Sequence, residues 1–270
     1  MVAPTANAST HADSRTVTVR IRRQDTPEGD PRWEEFRVPY GEGANVISVL
    51  QWIAAHPTTV QGKETTPVVW DSGCLEEVCG ACTMVIDGRV RQSCSALIAN
   101  LVQESEVLTL EPMSKFPVVR DLAVDRQRMF HNLSRVKAWV PIDGTWALGR
   151  GPLETPEKAE VRYKLSTCMT CGCCLEACPQ FEKADDPAAW DEALQGAQVW
   201  SQVRLFNMQP IAGTLAAQRL DAVMGEGGIA DCGNAQNCVK VCPKEIPLTE
   251  SIAEIGRQTT IRGIKRFLGG

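Results

Sequence analysis

Histidine is scarce in this 270-residue chain, with three in all, and long apolar runs are missing. No uninterrupted apolar stretch reaches the roughly 18 to 20 residues that cross a bilayer, so no membrane-spanning helix is expected. Neither sign of charge dominates. The 28 basic and 33 acidic residues leave a net charge of -5, which argues against a nucleic-acid backbone as the main partner. The N-terminus, Met1 to Ser14, is small and polar and lacks the basic start and apolar stretch of a secretory signal, so export by the general route is not expected. Also missing is a glycine fingerprint following a strand, the turn on which a dinucleotide pyrophosphate would sit.

Cysteine is what the chain has in excess. Its twelve cysteines fall into groups at positions 74 to 94, 168 to 178 and 232 to 242. In a reducing compartment such groups read as metal sites rather than disulfides.

The length allows two modest domains. Val17, Val19 and Ile21 alternate within Thr16 to Ile21, and a second extended run, Glu34 to Val38, follows a turn containing Pro27, Gly29 and Pro31, which predicts a hairpin. Asn45 can cap a helix with Val46, Val49, Leu50 and Ile53 on one face and Pro57 at its end. Thr83 to Ile86 reads as a strand turning at Asp87-Gly88, and Val107 to Leu110 as a last strand. Around Glu111 to Pro117 the periodicity lapses, and beyond it the apolar spacing (Leu122, Met129, Leu133, Val136) is helical. Later helices are expected at about Ala188 to Phe206, Thr214 to Met224 and Ser251 to Phe267. The fold class is therefore α+β, with a polar tail at 1–14, a small mixed sheet with one helix at 15–116, and an almost wholly helical part at 117–270. Arg257, Arg262, Lys265 and Arg266 on the last helix could face an anionic membrane surface or a partner, or simply solvent.

Cys74, Cys79, Cys82 and Cys94 follow C-x4-C-x2-C with a more distant fourth cysteine, the plant-type ligand pattern of a 2Fe-2S cluster. Gly73 and Gly80 allow the loop to wrap closely around such a group, with backbone N–H groups aimed at the sulfurs. A four-cysteine zinc site prefers two C-x2-C knuckles. A Rieske centre needs two nearby histidines, and His11, His56 and His131 lie outside every group.

Cys168, Cys171, Cys174 and Cys178-Pro179 fit C-x2-C-x2-C-x3-C-P, the bacterial ferredoxin run whose fourth cysteine serves the other cluster. A second run keeps the frame at Cys232, Cys238 and Cys242-Pro243, but Ala235 stands where its middle cysteine would be. Exchange of the fourth cysteines gives one site Cys168, Cys171, Cys174 and Cys242, enough for a 4Fe-4S cube, and leaves the other Cys178, Cys232 and Cys238. Three thiolates and an alanine methyl favour a 3Fe-4S cluster there; a cube with water at its open corner is the competing arrangement. Cys173 lies out of frame and is read as a packed small residue.

This order of motifs, in DSGCLEEVCGACTMVIDG, CMTCGCCLEACPQF, SQVRLFN and CGNAQNCVKVCPKEIPL, resembles the iron-sulfur subunit of succinate dehydrogenase and of its relative fumarate reductase. The resemblance spans nearly the whole chain, and only about the first 14 residues stand outside it. It implies a plant-type ferredoxin (β-grasp-like) domain followed by an all-α two-cluster domain. It also implies docking on a flavoprotein subunit whose FAD oxidises succinate, and on membrane-anchor subunits that often carry haem b. Electrons would pass through the 2Fe-2S, 4Fe-4S and 3Fe-4S clusters to a quinone, with the subunit held peripherally on the cytoplasmic face of the bacterial plasma membrane. Ubiquinone-linked members typically place a tryptophan a few residues after the first Cys-Pro and a histidine after the first cysteine of the second run. Here Pro179, Gln180, Phe181, Glu182 and Lys183 follow Cys178, and Gly233 follows Cys232, so the chain looks more like the menaquinone-linked members. Pro179 and Gln180 are the candidates nearest the quinone, unless that loop only supports Cys178. Three rivals remain at this point: a quinol:fumarate reductase subunit, a soluble ferredoxin-like adaptor, and a zinc-stapled interaction protein.

Overall fold

A computed structural model of the chain describes residues 15–103, 106–141 and 153–269; the polar segment 1–14 lies outside the described residues. Alternation builds the first sheet. Strand β1 (Arg15–Arg23) turns Val17, Val19 and Ile21 inward and pairs antiparallel with β2 (Arg32–Tyr40), a longer hairpin than the sequence predicts. Strands β3 (Thr83–Ile86) and β4 (Arg89–Gln92) pair through Asp87-Gly88, whose φ angles of 48° and 73° are those of a type I′ turn. Strand β5 (Val107–Glu111) then inserts between β1 and β3, parallel to the former and antiparallel to the latter, giving the order β2-β1-β5-β3-β4.

Helix α1 (Val46–Ala55) starts at a capping box, in which Asn45 Oδ1 accepts from the Ser48 N–H and Ser48 Oγ from the Asn45 N–H. Its Val46, Val49, Leu50 and Ile53 bury fully against Val19, Ile21, Phe36, Leu108 and Leu110. Each such aliphatic burial is worth about 1.5–3 kcal/mol. The inward phase of β1 ends on Arg23, which is fully buried and satisfied by carboxylates. Its guanidinium donates to Asp121 (2.8 Å), Glu34 (2.6 Å) and the carbonyl and hydroxyl of Thr66 (both 3.0 Å).

A short helix α2 (Ile98–Leu101) precedes β5. The segment after Pro117, expected to open the helical part, first forms a small antiparallel pair, β6 (Val118–Arg120) and β7 (Ala123–Val124). Leu122 packs into the core of the first sheet, and Asp121 accepts from the N–H groups of Gln24 and Val69 as well as from Arg23. Residues up to about 122 are thus tied to the first unit by burial and charge, neither of which leaves a periodic trace.

The second unit is helical: α3 (Gln127–Arg135), α4 (Pro156–Ser166), α5 (Cys173–Glu176), α6 (Ala197–Met208), α7 (Ala216–Met224), α8 (Asn237–Lys240) and α9 (Leu248–Phe267). One core joins Leu165, Val199, Trp200, Val203, Val223, Leu248 and Ile255. The long helix expected from Ala188 does not form; only a 3-10 turn, Pro187–Ala189, precedes α6. Gly196 breaks the run with φ 88°, and a side chain there would meet Leu175 Cδ2 at 2.3 Å. The two units are latched at Glu176, whose carboxylate accepts from the N–H groups of Ser114 and Lys115 and from the Ser114 hydroxyl.

Candidate iron-sulfur centres

The loop between α1 and β3 carries the first three cysteines, and β4 returns the chain so that Cys94 joins them. Left-handed backbone at Leu75, Glu77 and Gly80 (φ 62°, 55° and 71°) turns successive N–H groups inward. Those of Glu76, Val78 and Cys79 lie 3.3 Å from Cys74 Sγ, that of Glu77 lies 3.3 Å from Cys94 Sγ, and that of Ala81 lies 3.4 Å from Cys79 Sγ. The converging donors hold the Cys74 thiol down at about 7, whereas burial beside Cys82 pushes Cys94 up to about 11. Trp70 packs against Cys82 and Cys94, and its indole N–H is buried without a partner. Four thiols, inward N–H groups and an orphaned donor fit a 2Fe-2S group, whose sulfides accept hydrogen bonds. Among the described residues, no three His, Cys, Asp or Glu side chains gather as a single metal ion requires.

In the second unit α5 packs against α8, and the segment after α5 meets the loop before α8, where Gln180 bonds Asp231 and Gly233. Burial raises the Cys174 thiol well above its ordinary value, with Cys171, Cys168 and Cys242 as the nearest contributing thiols and Cys238 behind them. Cys168 is likewise raised by burial, with Cys171 and Cys242 as its thiol neighbours. Burial also raises Cys238, whose thiol neighbours are Cys178 and Cys232. Cys168, Cys171, Cys174 and Cys242 are thus neighbours, as are Cys178, Cys232 and Cys238, and Cys174 also lines the cavity of the second set. Cys171 departs from the pattern of raised thiols: its hydrogen bond with Cys173 holds its thiol down at about 7.

Ala235 lines a small cavity with Cys178, Cys232, Cys238 and Trp200, in a loop whose Asn234 and Gln236 hold φ of 55° and 60°. Pro179 and Gln180 are exposed at the same cavity. The Gln180 amide is already occupied: its Oε1 accepts from the Gly233 N–H at 2.5 Å and its Nε2 donates to the Asp231 carbonyl at 2.9 Å. It braces one cysteine loop against the other.

Several residues around these loops carry no motif. Cys173 is fully buried and receives the Gln92 amide at 3.5 Å, while Cys82 Sγ donates to the other end of Gln92 at 3.6 Å. Gln92 thereby spans the two units. Burial of Gln198, Ser201 and Gln202 on α6 could have been suspected from three polar residues in an otherwise core-forming helix; Gln198 Oε1 and Ser201 Oγ have no partner. On α9, Arg257 pairs with Glu254, and Arg262 and Arg266 pair with Asp221. Three of its four basic side chains are therefore engaged within the chain.

Residues 18–131 match a family described as a 2Fe-2S iron-sulfur cluster binding domain, and residues 164–246 one described as a 4Fe-4S dicluster domain. The succinate dehydrogenase iron-sulfur subunit of Bacillus subtilis is 51% identical over 258 residues, covering 96% of this chain and 98% of that protein. The fumarate reductase iron-sulfur subunit of Wolinella succinogenes is 27% identical, covering 90% and 97%. A chain of the Mycobacterium smegmatis Sdh1 complex in the apo form superposes with a TM-score of 0.73 at 20% identity, covering 93% and 98%, which shows a shared fold. Half its residues being identical along almost the full length of such a relative, the chain belongs to the succinate dehydrogenase iron-sulfur subunit family.

Proposed function

We propose that this chain is the electron-relay subunit of a membrane-bound succinate:quinone oxidoreductase, linking succinate oxidation on an FAD-bearing subunit to the reduction of menaquinone. What carries the reading is the spacing that sorts eleven cysteines into three sets along one chain, with Ala235 in the frame of a missing cysteine and lining the cavity of Cys178, Cys232 and Cys238. Cys74, Cys79, Cys82 and Cys94 would hold a 2Fe-2S cluster, Cys168, Cys171, Cys174 and Cys242 a 4Fe-4S cluster, and Cys178, Cys232 and Cys238 a 3Fe-4S cluster. Bound clusters supply one-electron carriers whose charge spreads over several atoms, so redox change demands little rearrangement. The residues do the rest: N–H groups of the first loop stabilise thiolate charge, Gln92 and Gly80 keep the first two sites close, and Ala235 leaves the third corner without a ligand.

Exposed Leu75 and Val78, 48% and 59% accessible on the 2Fe-2S loop, offer an apolar landing for the flavoprotein subunit. Membrane-anchor subunits, with haem b, would hold the opposite end, placing the chain peripherally on the cytoplasmic face of the plasma membrane. Among the described residues no helix is long and apolar enough to cross a membrane, which accords with anchoring through partners. Pro179 is proposed near the quinone; Gln180 acts there through its brace on Gly233. The greater identity to the succinate dehydrogenase relative than to the fumarate reductase one supports the succinate-oxidising direction. Isolation of the native complex tests the reading: FAD and haem b should copurify, and succinate should reduce a menaquinone analogue. A brown chain isolated with neither flavoprotein nor anchor subunits would favour the soluble adaptor instead.

A further inference from the structure

We propose that Arg126 is an electrostatic clamp between the first two clusters, holding the Gly80–Ala81 turn against the Cys171 loop and biasing both neighbouring centres toward their reduced states. The inference rests on the cluster assignment above and extends it to a residue outside every cysteine motif.

The two cysteine loops meet backbone to backbone. A side chain on Gly80 would lie 2.7 Å from Cys171 Cα, 2.8 Å from Cys171 Cβ and 3.0 Å from the Met169 carbonyl oxygen, so this seam closes only around glycine. Arg126, at the entry to α3, reaches into it. Its guanidinium donates at 2.6 Å to the Gly80 carbonyl and also to the Ala81 carbonyl, the peptide oxygens between Cys79 and Cys82. Both partners are neutral. Among the described residues no carboxylate lies in ion-pair contact with Arg126, and Asp71 acts on it only from farther away. Burial accordingly disfavours its charge, and the groups that offset this are Asp71 followed by Cys171, Cys82 and Cys173, thiols on both sides of the seam. A half-buried cation with uncharged hydrogen-bond partners keeps most of its field, and that field falls where each cluster gains negative charge on reduction. Its two hydrogen bonds lie on the first cysteine loop, at the seam with the Cys171 loop.

Arg126 is thus a positioning residue, and redox potentials report on it where activity alone would not. The test is an EPR-monitored redox titration of the assembled complex carrying Arg126→Leu or Arg126→Lys. A unit charge roughly 10 Å away at an effective dielectric constant near 20 alters an equilibrium roughly tenfold. Arg126→Leu should therefore lower the reduced-to-oxidised ratio of the 2Fe-2S and 4Fe-4S centres about tenfold at fixed ambient potential, about 59 mV for a one-electron couple. The 3Fe-4S centre should titrate as in the parent, and Arg126→Lys should recover most of the loss. All three signals present with unshifted potentials in Arg126→Leu would overturn the clamp and leave the relay standing. An equal shift of all three centres would overturn it too, since that marks a general change of environment. A parent complex without the first two signals would instead remove the cluster assignment. Should Arg126→Leu fail to assemble, Arg126→Gln keeps an amide donor for the loop carbonyls without the charge, and the same drop is expected of it.

Discussion

Substituting Gly80 by alanine probes the contact between the two cysteine loops, and its cost divides into two parts that the structure separates. Gly80 sits at φ 71°, where an L-residue costs about 1–2 kcal/mol. The added methyl would also meet Cys171 Cα and Cβ at 2.7 and 2.8 Å, against the ~3.5–4.0 Å at which carbons rest, so the seam must open by roughly an ångström. Overpacking of that kind costs about 1–3 kcal/mol. Gly88 isolates the first part, because it holds φ 73° with nothing within 4 Å of an added Cβ. Gly88→Ala should therefore lose about 1–2 kcal/mol and Gly80→Ala a further ~1–3 kcal/mol. At about 2–4 °C per kcal/mol, Gly80→Ala should melt several degrees below Gly88→Ala when both are assembled in the complex and followed by circular dichroism. Melting of the two variants at the same temperature would refute the close approach of the loops.

Ala235→Cys should convert the third centre to a 4Fe-4S cube: the oxidised 3Fe-4S EPR signal disappears, quinone reduction falls, and succinate oxidation with an artificial acceptor persists. Cys173→Ala should keep all three cluster signals, whereas Cys174→Ala should lose the 4Fe-4S signal; loss of a signal in Cys173→Ala would reassign the frame. Asp121→Ala strips Arg23 of one of its two buried carboxylates and should cost about 3–5 kcal/mol, read as a lowered denaturant midpoint. Glu254 is held at about 2 by its hydrogen bonds with Arg257, so its contribution is present above the ordinary carboxylate range and lost as pH falls toward 2. The pair is partly exposed and screened, so Glu254→Gln should change stability by less than about 1 kcal/mol at neutral pH in a thermal melt.

The cysteine spacing stands out because it is a local property, and the hairpins were legible because alternation and Asp87-Gly88 are local as well. The parallel pairing of β1 with β5 was not, since Val19 and Leu108 meet across most of the first domain with nothing between them to signal it. The break in the expected helix at Gly196 depends on Leu175 occupying the space beside it, a tertiary fact. Arg23 looked like the next residue of an alternating strand; its burial is tolerable only because Asp121, 98 residues away, folds back onto it. Gln92 and Arg126 escaped notice for a related reason: each is an ordinary polar residue whose significance comes from standing where two cysteine loops meet. For Gln180 the sequence suggested proximity to a quinone, and only the structure revealed that its amide already bridges Asp231 and Gly233.

The account depends on eleven thiolates holding three iron-sulfur centres of different nuclearity. Low-temperature EPR of the anaerobically isolated complex, paired with iron, zinc and acid-labile sulfide analysis of the same sample, tests it most directly. Expected are a 3Fe-4S signal in the oxidised state and 2Fe-2S and 4Fe-4S signals after dithionite, with iron and sulfide present and zinc absent. Zinc without inorganic sulfide, or an oxidised sample with no 3Fe-4S signal, would contradict it.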